Sequence, residues 1–105
     1  MPSPLAEPSR RQSTDAQYAV DIAVLKAVRV LNLAGARKLT FGQIYNRLIH
    51  SQARVPPIVE CVVAVDVLVR EGLLVSVRVL DEDPAFPYVQ HIISGLTEIG
   101  AAVLS

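Results

Sequence analysis

The feature that most restricts this chain is the order of signals in its last third. An apolar run ending in Leu68, Val69, Arg70 and Glu71 meets Gly72, and Leu73 and Leu74 follow at once. Glycine there supplies a helix stop, so the spacing predicts a helix ending near Glu71. Residues 73–80 are rich in valine and leucine and read as a strand, with Tyr88 to Ile93 as its antiparallel mate. Between them Asp81, Glu82, Asp83, Pro84, Ala85, Phe86 and Pro87 form a loop whose two prolines block extension of the ladder. Leu96, Thr97 and Gly100 mark a short last helix that begins at Thr97 or Glu98. Few topologies accommodate a helix, a hairpin and a further helix in so short a stretch.

The upstream part supplies two more helices. Residues 1–13 hold Pro2, Pro4 and Pro8 among serines, with Arg10 and Arg11, a composition that predicts a disordered arm and leaves 14–105 as one folded domain. Such an arm is either an inert tail or a basic strand able to reach a DNA minor groove. Ser13, Thr14 and Asp15 offer capping oxygens and Gly35 offers a stop, so a first helix is expected from about 15 to 34. Its polar residues Asp21, Lys26, Arg29 and Asn32 make a narrow stripe, and apolar side chains occupy most of the remaining girth. A helix with one buried face needs only about a third to a half of its girth apolar, so cover on two sides is expected. One reading takes the second cover from the same helix of a partner subunit, with Val20, Val24, Val28 and Leu31 at a homodimer interface. The other encloses the helix within its own domain.

Thr40 and Gln43 form a capping box, with hydroxyl and amide satisfying reciprocal backbone donors. The second helix should run to about Ser51 and bury Phe41, Ile44 and Leu48, with Tyr45 alongside. A turn over residues 52–55 precedes Pro56 and Pro57, which suit a helix start because proline lacks only a donor that is orphaned there. On the third helix, 100° per residue places Ile58, Cys61, Val65, Leu68 and Val69 inward and Val59, Val63 and Val67 outward. The fold class expected is therefore α+β and mostly helical: three helices, a β-hairpin and a short C-terminal helix.

A chain of 105 residues with 51% apolar residues forms one domain with a small core. Charged residues make up 19%, below the usual quarter, so more apolar surface is present than one core hides and self-association is expected. The formal net charge is zero, yet the charges are segregated. Residues 1–21 sum to −1. Residues 22–59 carry Lys26, Arg29, Arg37, Lys38, Arg47 and Arg54 without a single acid, and residues 60–105 sum to −5. Fields follow local charge, so the middle attracts phosphate unless the segregation is a chance pattern on a solvated surface. The N-terminus shows no basic-then-apolar leader, and charges interrupt every long apolar run, so a cytoplasmic chain without a membrane span is expected.

The junction at Leu68 to Leu74 and the Leu96, Thr97, Gly100 element after the hairpin resemble the back half of a winged helix-turn-helix domain. MarR-like and PadR-like bacterial regulators carry such domains, and the likeness covers residues 15–104. It implies a third helix lying in the DNA major groove, a hairpin wing beside the backbone, and a second-helix start that touches phosphate. Two features depart from the family pattern. Base-edge readout needs Arg, Lys, Asn, Gln, Ser or Thr near the start of the third helix, and here only Arg54, just before it, qualifies. The family's wing usually carries arginine near its tip, whereas this loop carries Asp81, Glu82 and Asp83, which phosphates would repel.

What remains for DNA is the acid-free middle: Arg37, Lys38, Gln43, Asn46, Arg47, His50, Gln52 and Arg54, with cations for phosphates and amides for a base. The alternative makes Asn46, Arg47 and His50 the ordinary wet face of their helix. Cys61 faces inward and behaves as a small hydrophobe beside Glu60 and valines. His50 and His91 share no metal spacing, and a single cysteine excludes a multi-cysteine site, so neither metal nor cofactor is expected. No Gly-rich phosphate loop or Ser-His-Asp set is visible, and an enzyme is not expected. The leading expectation is a small dimeric winged-helix protein that binds double-stranded DNA, a transcriptional regulator. The competing one is a winged-helix module that has given up DNA and binds a protein through Val59, Val63 and Val67 or through the acidic wing.

Overall fold

A computed structural model describes residues 3–51 and 54–105, with side chains from Tyr18 onward. In chain order the elements are α1 (Ser3–Leu33), α2 (Phe41–Ser51), α3 (Ile58–Arg70), β1 (Leu74–Val79), β2 (His91–Leu96) and α4 (Glu98–Val103). The chain is α+β, with four helices and one two-stranded antiparallel sheet among the described residues. This order is compatible with a winged-helix layout.

The capping box forms as expected. The Thr40 N–H donates to Gln43 Oε1 at 2.9 Å, and the Gln43 N–H donates to Thr40 Oγ1 at 3.2 Å. With its first turn satisfied in this way, α2 buries Phe41, Ile44 and Leu48 and leaves Tyr45 half-buried against Phe41. The Tyr45 hydroxyl donates to the Pro56 carbonyl at 3.2 Å and so ties α2 to the start of α3.

The structure places the α1 residues expected at a dimer interface inside the domain. Val24 and Val28 have no exposed surface, Val20 retains 9%, and Leu31 is partly buried against the same core. A second copy would find no atoms of Val24 or Val28 to touch. The second cover comes from the chain itself, because α1 packs against α2, α3 and β2 together. The helix also begins at Ser3, well before the expected start near residue 15. The backbone of residues 3–13, expected as an arm, therefore continues α1, and Pro4 falls in its first turn where proline is tolerated.

On α3 the buried residues are Cys61, Val62, Ala64, Val65 and Leu68. Ile58, expected inside, is 44% exposed, because it is the first residue of the helix and stands where its packed face ends. Gly72 has φ +82, the left-handed conformation that lets the chain turn from α3 into β1.

The hairpin is shifted relative to expectation. Strand β2 runs His91–Leu96 and not Tyr88 to Ile93. Residues 83–88 fold back on themselves through Phe86 N–H to Asp83 O and Tyr88 N–H to Phe86 O, which removes Tyr88 from the ladder. At the other end Leu96 pairs with Leu74 and Gly95 with Val75, which extends the strand to the edge of α4. On the outer side of β2, Leu39 exchanges backbone hydrogen bonds with Ile93 at 2.8 and 2.9 Å. The contact is a single bridge, and the fully buried Leu39 and Ile93 join the core there.

The two motifs that stood out in the sequence meet in space. Thr97 caps α4 by accepting from the Gly100 N–H at 3.0 Å, and its hydroxyl donates to the Gly72 carbonyl at 2.5 Å. A Cβ at Gly100 would collide with the Leu73 carbonyl oxygen, so only glycine lets α4 sit so close. Among the described residues no helix is long and apolar enough to cross a membrane.

Candidate functional site

The cations of the acid-free middle lie on α1, ahead of α2, on α2 and in the turn before α3. Lys26, Arg29, Arg37, Lys38 and Arg54 are exposed. Among the described residues Asp66 pairs with Arg70 and is also approached by His91, so none of those five cations has a carboxylate partner there. No carboxylate among the described residues compensates their charge. Arg37 also donates to the Asn32 carbonyl at 3.0 Å, so its guanidinium helps to satisfy the end of α1.

The polar residues expected to accompany them divide into three groups. Asn46 and His50 lie on the exposed face of α2, where His50 Nδ1 donates to the Asn46 carbonyl at 2.7 Å. Gln43 is exposed, but its amide oxygen is committed to the capping box. Arg47 turns away from that face and lies half-buried against α1. There it lines a cavity of about 310 Å³ together with Lys26, Arg29, Ser51, Ala23, Ala27 and Val30. Its Nε is buried and has no hydrogen-bond partner. Leaving such a donor unsatisfied costs about 1–3 kcal/mol. Gln52 lies outside the described residues.

The outer face of α3 is apolar. Ile58, Val59 and Val63 are 44%, 39% and 41% exposed, with Val67 half-buried and Glu60 beside them. Cys61 is fully buried, and burial together with the neighbouring Glu60 carboxylate pushes its thiol up to about 11. A thiol held neutral in that way is a poor nucleophile.

The structure also assembles a polar cluster that the sequence did not announce. His91, buried on β2, places Nε2 2.9 Å from Asp66 Oδ1 on α3 and Nδ1 2.7 Å from Ser76 Oγ on β1. The neutral Nε2–H tautomer satisfies both contacts, donating to the carboxylate and accepting from the hydroxyl. Ser76, His91 and Asp66 therefore stand in hydrogen-bonded series, although the order of ring nitrogens is the reverse of the serine-protease arrangement. The cavities described here lie elsewhere, and the cluster's evident work is to pin the hairpin to α3. No spacing rule could have found it, because the three residues come together only through strand register.

At the hairpin tip, Val79, Leu80, Glu82, Asp83, Pro84, Phe86, Pro87, Tyr88 and Val89 line a second cavity of about 410 Å³. The Phe86 and Tyr88 rings meet edge to face with centroids 5.1 Å apart. Asp83 Oδ1 accepts from the Ala85 N–H at 2.9 Å, so this carboxylate shapes its own turn. Comparison of the chain with protein-family models, with curated proteins and with solved structures finds no match.

Proposed function

We propose that this chain is a small winged-helix protein that binds duplex DNA, chiefly through backbone phosphates, and acts as a transcriptional regulator. The observation that carries this reading is the set of exposed cations between Lys26 and Arg54, none of them paired with an acid among the described residues. Arg37 and Lys38 precede α2 and Arg54 precedes α3, the places where a winged helix meets phosphate. With no base-reading side chain at the start of α3, affinity rests on charge, and sequence preference is weak. Self-association remains part of the reading. It would draw on exposed apolar residues such as Tyr18, Leu33, Val77 and Val79 and not on the buried face of α1.

A specific observation favours a second reading. The exposed Ile58, Val59 and Val63, edged by Glu60, form an apolar row on α3 suited to a protein groove. Titration of mixed-sequence duplex DNA at low and moderate salt separates the two. Saturable binding that weakens steeply with salt and is lost in an Arg37→Gln, Lys38→Gln, Arg54→Gln variant supports the DNA reading. No binding at low salt overturns it in favour of the protein-interaction module.

A further inference from the structure

We propose that the cavity between α1 and α2 is a binding site for a phosphoryl group, carried by a small phosphomonoester or diphosphate. Lys26 and Arg29 line it from α1 and Arg47 and Ser51 from α2, and no acid is among its described lining residues. The positive charge gathered there exceeds what one carboxylate would neutralise and matches a phosphate that carries two negative charges. Two guanidiniums offer forked donors and the lysine a point charge, the combination that phosphate oxygens accept best.

The buried Nε of Arg47, lacking any partner, is a donor held in place without its acceptor. Native structures seldom leave such a donor unmatched, but Nε has no accessible surface, so an anion in the cavity would meet Arg47 through other atoms of its side chain and not through Nε. The α1 side of the cavity also carries Ala23, Ala27 and Val30, which are apolar. A volume of about 310 Å³ lies at the lower end of the range of small-molecule pockets and exceeds the needs of a bare phosphate. The occupant is therefore a phosphoryl group on a short, partly apolar body.

This inference does not rest on the DNA reading, and a nucleic-acid backbone, whose phosphodiesters carry one negative charge each, is the competing source that the test separates from a free ligand. The test is calorimetric titration of the full chain with pyrophosphate, repeated in the presence of duplex DNA. Saturable binding is expected, weakened by about tenfold or more in Lys26→Gln, Arg29→Gln, because each lost charge-assisted bond counts for at least that much. Both residues are exposed, so this variant should melt like the parent. Arg47→Lys keeps the charge but removes the buried fork, and it should also weaken binding. Lys38→Gln, outside the cavity lining, should leave pyrophosphate affinity unchanged. Binding that persists with DNA present identifies a free ligand as the source. Binding that DNA displaces, with both lost in the same variant, identifies the backbone and overturns the small-molecule ligand. Pyrophosphate binding without any DNA binding leaves this site standing and removes the DNA reading. The absence of saturable binding at millimolar pyrophosphate overturns the proposal, as does affinity unaffected by Lys26→Gln, Arg29→Gln.

Discussion

The basic corner between α1 and α2 and the acidic tip of the hairpin are two answers to the same packing problem. Each leaves a cavity of similar size, about 310 and 410 Å³, in a small domain. One is walled by Lys26, Arg29 and Arg47 over alanines, the other by Glu82 and Asp83 over prolines and paired aromatic rings. The cations come from rigid helices and lack carboxylate partners among the described residues, whereas Asp83 is engaged by its own loop. A formal charge of zero therefore describes the sum and neither surface. Whatever binds one site will be repelled from the other, so the two surfaces select partners of opposite sign.

The strongest way to break this contrast is to put an acid beneath the basic corner. Val24→Glu places a carboxylate at a position with no exposed surface, and we expect a loss of several kcal/mol, read as a collapse of the thermal transition. A variant that stays folded and merely changes from dimer to monomer by light scattering would restore α1 as an interface.

Next in size are changes that free the hairpin from α3. His91→Ala strands Asp66 and Ser76 without their shared partner and should cost about 1–3 kcal/mol in denaturant unfolding. Duplex affinity of the folded variant should be unchanged, since the cluster lies outside the basic corner. A parallel fall in DNA affinity would show that the hairpin takes part in binding.

The contrast sharpens with single cations. Each replacement of Arg37, Lys38 or Arg54 by Ala should flatten the slope of log affinity against log salt by about one unit. An unchanged slope would take that residue out of phosphate contact. Smallest of all is the neutralisation of Asp81, Glu82 and Asp83 together. These residues are exposed, so stability should move by no more than about 0.5 kcal/mol, and DNA binding should stay as it was. Tighter DNA binding after this change would bring the tip close to the duplex.

Cys61 gives a pH test of the interior. Its folded thiol is raised from 9.0 to about 11, so the fold favours the protonated form. The stability this contributes is fully present below the unfolded value of 9.0 and is lost as pH rises towards 11. Native alkylation at neutral pH should be slow and should accelerate on unfolding. Rapid labelling of the folded chain would contradict the burial of Cys61.

What the sequence disclosed, it disclosed where the determinants are local. The Thr40 and Gln43 box, the stop at Gly72 and the Thr97 cap each depend on residues within one turn, and all three form. The segregation of charge was equally legible, and it persists as surface. The misreadings arose where distant chain segments decide. Strand β2 ends at Leu96 because Leu74 and Val75 pair with it, and nothing near Ile93 marks that limit. The apolar girth of α1 correctly called for two covers, yet only the tertiary arrangement assigns both to the same chain. Arg47 has the spacing of a surface residue on α2, but proximity to α1 turns it into the wall of a cavity.

The clasp between Thr97 and Gly72 has a consequence for how the molecule comes apart. It joins residues 25 positions distant at the very base of the hairpin, while Leu73 bonds both the last turn of α3 and the backbone of Thr97. The hairpin is thereby closed into a loop whose two ends share one knot of hydrogen bonds. Fraying of the last helix and opening of the hairpin should be a single event, and the amides of Leu73, Thr97 and Gly100 should exchange with solvent at one common rate.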